Sequence, residues 1–333
     1  MDRRKLVPAI TAHLSWSEAA RALLCMLPML VAVAIGQMTY VVALGQGGFF
    51  FSSLLLPRRI SGRLIMGSIL IALGLGFYLM GGTVAPLPVV AVIFTFFAAL
   101  NLSFLTSWSI GGPVALSIVM IYTAGLNTGS PEKAADNFLA FALVMGWATV
   151  ISMLPVWQPI MPPAPARAPT NGELAEQGIR MGIGTSLALA ISYIFEFAKI
   201  GWAVSAVGSV VRFDRDMSKK RAMARLLGTL GGALIAGFLL VRLDSVTTLV
   251  LIGAFFAVLN GLYKKAKVGQ MPLFYTATIL ILYSLNDIES GKDLAMLRLA
   301  YNLVGIAVAA FVVFYPFPML AKRLRKGGAA PQE

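Results

Sequence analysis

Charge is what this sequence has least of: Asp, Glu, Lys and Arg make up 12% of its 333 residues, while hydrophobic residues make up 58%. Soluble domains carry about 25% charged residues, and at a mean hydropathy of +0.82 no soluble fold could hide this much apolar surface. Cysteine and histidine are nearly absent as well. The one cysteine, Cys25, has no second cysteine to pair with, and the one histidine, His13, excludes a multi-histidine metal site. No HExxH, GxSxG or Walker sequence is present. The carboxylates fall nearly all in loops or at the ends of apolar segments. No metal, cofactor or ATP-driven chemistry is expected, and an enzymatic role is not. Met1-Asp-Arg-Arg-Lys5 leads into a mixed stretch with no small-residue cleavage site, so the N-terminus reads as mature and cytoplasmic.

What the sequence has instead is apolar segments, at about 22–36, 41–56, 64–80, 87–106, 113–126 and 138–157, then 181–197, 202–211, 226–241, 246–262, 272–285 and 297–315. A bilayer core of about 30 Å takes roughly 17 to 25 apolar residues per crossing. The pattern therefore predicts an all-α membrane protein of about twelve spans. Short segments such as 202–211 must be tilted, broken or buried in the bundle, because irregular backbone survives at membrane depth only where protein or water satisfies it.

The net charge of +13 sits in short clusters between apolar segments. With the N-terminus inside, the cytoplasmic side collects Arg3, Arg4, Lys5, Arg21, Arg58, Arg59, Arg63, Arg167, Arg180 and the basic run from Arg212 to Arg225. It also collects Lys264, Lys265 and Lys267, and the tail Lys322, Arg323, Arg325 and Lys326. Such bias is the positive-inside rule, and it predicts both termini cytoplasmic in an inner membrane.

The segments also repeat. At an offset of 159 residues, Ile93 to Asn101 lies over Ile252 to Asn260 with six of nine positions identical. At the same offset Arg21 pairs with Arg180, Pro113 with Pro272, Asn127 with Asn286 and Lys133 with Lys292. Two units of six spans share one orientation and are expected to be related by an axis along the membrane normal. The divisions that follow are residues 1–158, a proline-rich extended linker at 159–178, a second unit at 179–320 and a basic tail at 321–333.

Few residues could carry chemistry. Asn101 and Asn260 occupy equivalent places after an aromatic pair, where an amide could bind a carboxylate or tie helices together. Pro113 and Pro272 open the fifth segment of each unit, and a helix N-terminus aimed inward favours an anion. Arg298 stands about a turn into the last span, where its counterpart is the apolar Leu139. It is either a snorkelling side chain or an attractor of anions. These five make up the expected substrate pathway. Glu196 and Lys199 are read as a solvated outer turn, with a proton-coupled pair as the alternative.

A further pattern begins with Arg180, passes Trp202 in the next segment, and ends in Arg221-AMA-Arg225-LL-Gly228-Thr229-LG-Gly232. It resembles the fusaric acid resistance and aromatic acid exporter family, over about 140 residues of the second half, with plant malate channels as distant relatives. The first half carries only Arg63-LIM-Gly67-Ser68 in its place. Larger members carry a cytoplasmic domain that has no counterpart here. The resemblance implies proton-motive export of aromatic or related organic acids across a bacterial inner membrane, often beside a periplasmic membrane-fusion adaptor. The alternatives are a passive organic-anion channel and a noncatalytic partner of such an adaptor.

Overall fold

The computed structural model describes residues 14–106, 111–158, 170–212, 214–266, 272–285 and 288–314; side chains at 111 and 288–292 fall outside the description. His13, the tail and linker residues 159–169 lie outside it too. Among the described residues every regular element is helical. The order is α1 (Trp16–Ala34), a 3₁₀ turn (Met38–Tyr40), α2 (Val41–Ser52), α3 (Ile60–Val84), α4 (Pro88–Leu105), α5 (Gly111–Leu126) and α6 (Pro131–Met153). Then come α7 (Asn171–Ile194), α8 (Gly201–Val210), α9 (Arg215–Arg242), α10 (Val246–Leu262), α11 (Leu273–Ser284) and α12 (Ile288–Phe314).

Local chemistry sets the boundaries. Ser130, Asp214 and Ser245 each accept a backbone N–H in the first turn of α6, α9 and α10, and Pro88 and Pro131 stand where a helix has no use for an N–H. Gly36 and Gly129 take positive φ, 77° and 75°, in turns that follow α1 and α5. One boundary differs from the sequence reading. Residues 171–178, expected in an extended linker, are the first turns of α7, because Thr170 and Glu173 form a reciprocal capping box that starts the helix there.

Among the described residues six helices, α1, α3, α4, α6, α9 and α12, are long and apolar enough to cross a membrane. Each keeps a face of large apolar residues outward, such as Val89, Ile93 and Phe97 on α4, or Leu227, Leu230, Leu234 and Phe238 on α9. Such stripes are at home in lipid. The short helices α2, α5, α8 and α11 are enclosed instead. In α8 every residue but Ser209 is buried, and its ten residues rise only about 15 Å, half of a bilayer core. A helix this short leaves its end groups at membrane depth, so it must be wrapped by protein.

The two halves of the chain interlock. α4 lies along α7, and α10 lies along α1. Gly178 and Gly182 of α7 sit against Leu100, Ser103 and Phe96 of α4, and farther along Ser186 Oγ donates to Val92 O at 3.0 Å and Tyr193 OH to Ala85 O at 2.7 Å. On the other side Gly261 of α10 abuts the backbone of Glu18, and Ser15 N–H donates to Leu262 O at 2.8 Å. The start of α1 and the ends of α2, α6 and α10 thereby gather at one end of the bundle, together with Arg21, Arg63 and Lys264. At the opposite end Asn127 accepts from Gly201 N–H at 2.8 Å and donates to Tyr283 OH at 3.1 Å.

A methyl group at Gly182 would lie 3.0 Å from Phe96 O, whereas at Gly172 it would meet nothing. Gly182→Ala is expected to destabilise by about 1–3 kcal/mol through overpacking, and Gly172→Ala to leave the thermal midpoint in detergent unchanged or raised.

Candidate functional site

The short helices end before the bundle does, and a cavity of about 570 Å³ opens at the basic end where they stop. Its walls come from both halves: Phe50 and Ser53 at the end of α2, Ala99 and Ser103 on α4, Pro113 and Ser117 on α5, Gln177 on α7, Ser209 on α8, and Asn260 and Tyr275 on α10 and α11. Arg212, Arg221, Arg225 and Lys264 bring four cations to the lining, and no carboxylate among the described residues joins them. A lining so biased attracts anions and repels cations.

These cations are held in different ways. Arg63, on α3, is saturated by backbone: its guanidinium donates to Pro57 O, Ser152 O, Leu154 O and Trp157 O at 2.9–3.2 Å. Arg225, at the corresponding place on α9, makes two side-chain bonds, to Asn302 Oδ1 at 2.9 Å and Ser205 Oγ at 3.4 Å. Arg298 is 2% exposed, and its guanidinium carbon lies 4.6 Å from the centre of the Trp202 ring. Arg212 sits in the turn after α8, where burial and the neighbouring Arg221 push its guanidinium down to about 10.

Lys264, just past α10, is tied to a buried carboxylate. Its Nζ donates to Glu18 Oε2 at 2.8 Å and to Ser52 O at 3.0 Å, and Arg21 meets the same Glu18 oxygen at 2.6 Å. Burial and the adjacent Arg21 push the ammonium of Lys264 down to about 8, with Glu18 acting against them. Glu18 was missed in the sequence, where carboxylates were assigned to loops and span ends. It lies in the first turn of α1 and is 1% exposed. The signal was present in its spacing, three residues before Arg21 on an apolar helix, with Gln177 at the matching position before Arg180.

Of the expected pathway residues, Pro113, Asn260 and Pro272 line the cavity. Asn260 donates to Ser53 Oγ at 3.3 Å, across the two halves. Asn101 is exposed, donates to Phe97 O of its own helix and does not reach the cavity; two residues from both Ala99 and Ser103, it stands about 200° around α4 from the wall they form and faces outward. Arg298 neither snorkels nor lines the cavity but lies behind it, next to Arg225. Glu196 and Lys199 do not pair: Glu196 is exposed, and Lys199 Nζ stands 5.3 Å from the Tyr283 ring centre.

The family-pattern residues take separate places, and the small ones form one helix contact. Arg180 pairs with Glu176 at the start of α7, Trp202 is buried in α8 and Arg221 is at the cavity mouth. Gly228, Thr229 and Gly232 bring α9 onto α11: a methyl group at Gly228 would fall 2.6 Å from Pro272 N, and one at Gly232 would strike Leu273 O and Thr276. Small residues there let α11 start at the cavity wall.

A bundle with lipid-facing long helices, enclosed short ones and an anion-attracting cavity defines a multi-pass helical membrane protein. Residues 168–312, from just before α7 nearly to the end of α12, match the family described as fusaric acid resistance protein-like. An uncharacterized protein of Synechocystis sp. (strain ATCC 27184 / PCC 6803 / Kazusa) is 23% identical over 185 residues, 56% of this chain and 24% of that relative's own length. No solved structure matches.

Glu18→Ala would leave Arg21 and Lys264 without their carboxylate, at an expected cost of about 3–5 kcal/mol. Adding Lys264→Met should recover part of it, since removing both partners of a buried pair is far milder than removing one. Thermal midpoints of the purified variants in detergent check both.

Proposed function

We propose that this protein is a secondary exporter of small organic anions, aromatic acids among them, acting in a bacterial inner membrane with both termini cytoplasmic. The observation that carries this reading is the cavity at the basic end, with four cations and no described carboxylate in its lining. By the positive-inside rule that end faces the cytoplasm, where an anion bound for export is collected. The family match over residues 168–312 supports transport as the class of activity.

The twelve helices are read as twelve spans in two parallel units. The exchange of contacts, α4 with α7 and α10 with α1, supports this, as does the recurrence of short enclosed helices in second and fifth place of each unit. The path runs between the units. Proton-motive force is the proposed drive, and Lys264, which lines the cavity and is pushed down to about 8 by burial and Arg21, supplies a titratable group there. A periplasmic membrane-fusion adaptor is the proposed partner.

Cells making the protein should accumulate less labelled p-hydroxybenzoate than cells without it, and an uncoupler should abolish the difference. A difference that survives the uncoupler while an anion gradient is kept would identify a channel. No difference with p-hydroxybenzoate or any other organic acid tried would remove the export reading.

A further inference from the structure

Beyond the cavity wall, two buried guanidiniums lie close together without a counter-charge. Arg225 is 5% and Arg298 2% exposed. The ionisable groups that face Arg298 are Arg225, Tyr275 and Tyr283, and no carboxylate among the described residues pairs with either arginine. Asn302, one turn after Arg298 on α12, accepts from Arg225 Nε at 2.9 Å and donates to the backbone carbonyl of Arg298 at 2.7 Å, which ties the Arg225 side chain to the turn that carries Arg298. Arg298 Nε has no hydrogen-bond partner, and its guanidinium rests on the ring of Trp202. Elsewhere this chain neutralises its buried cations with care, Arg63 by carbonyls and Arg21 and Lys264 by Glu18 with carbonyls. Burying an ion is costly unless geometry and partners repay it, so a buried arginine pair with no carboxylate among the described residues stands out.

We propose that Arg225 and Arg298 jointly form a carboxylate-binding site, with Asn302 holding them in register, and that Trp202 occupies the anion's place at Arg298 while the site is empty. This deepens the proposed function and rests on it. The anion enters through the cavity, which Arg225 and Tyr275 line, and reaches Arg298 as the Trp202 ring moves aside. A carboxylate offers Arg298 an opposite full charge and two parallel hydrogen bonds, where the ring offers only its quadrupole, so an arriving anion displaces the ring and an empty site keeps it.

The site occurs once per chain. At the offset of 159 residues, Arg298 and Asn302 fall on Leu139 and Leu143, both about 65% exposed, and Trp202 falls on Ala43. Arg63, the counterpart of Arg225, has its guanidinium spent on carbonyls. One carboxylate per chain is the expected stoichiometry.

The test is binding of benzoate, malate and inorganic phosphate to the purified full chain in detergent, read by titration calorimetry. The wild type should bind a carboxylate probe at a stoichiometry near one. Arg225→Gln and Arg298→Gln should each weaken it about tenfold or more, and the double variant should be little weaker than either single one, because the charges share one ligand. Arg298→Lys, which keeps the charge, should restore much of the affinity and so separates ligand binding from a folding defect. Wild-type binding that Arg298→Gln leaves unchanged would overturn the site, as would strictly additive losses or a wild type that binds no carboxylate probe. Binding with the expected variant pattern but no export in cells would remove the export reading and leave the site standing.

Discussion

Everything in this structure follows from the absence of water in a bilayer core. Backbone N–H and C=O groups must be bonded inside the protein, and a helix too short to reach both surfaces must be surrounded by longer ones. α2, α5, α8 and α11 are such helices. Enclosing them fixes their position at the centre of the bundle, and their early ends leave the space that becomes the cavity. The ring of long helices is a consequence, with apolar stripes outward and small residues inward.

The same constraint explains how the basic end is built. The last carbonyls of a helix carry partial negative charge and lack intrahelical donors. Arg21 and Lys264 bond the carbonyls of Ser52 and Leu54 at the end of α2, and Arg63 bonds those of Ser152 and Leu154 at the end of α6. Cations that signal orientation in the sequence therefore act in the fold as caps for helices that stop inside the protein. They also bind segments remote in sequence, since Lys264 lies more than two hundred residues from Leu54.

Much of the fold was legible in the sequence. Hydropathy located the helices, and the brevity of 202–211 left it tilted, broken or buried in the bundle, of which the fold shows an enclosed helix. The cavity-lining Pro113, Asn260 and Pro272 were readable because the repeat isolated them from a background of Leu and Ala. Asn101 shows the limit of that reasoning: equivalence in sequence did not carry equivalence in facing, and its amide turns to its own helix. Glu18 was passed over because proximity to a span end says nothing of burial, which here depends on α10 packing against α1. The pairing of Arg225 with Arg298 was invisible for a similar reason, since it joins α9 to α12 through Asn302. The start of α7 was misplaced because a run of prolines outweighed a capping box only a few residues later.

The contrast between Arg63 and Arg225 bears on why two units would share one polypeptide. In a dimer of identical chains every side chain has a twin, so a single off-axis anion site is impossible; it must come in pairs or straddle the axis. Covalent fusion lifts that restriction. One half is then free to turn its arginine into a clasp on backbone carbonyls, while the other keeps a guanidinium held by side chains alone, so that broken symmetry separates the scaffold from the binding element.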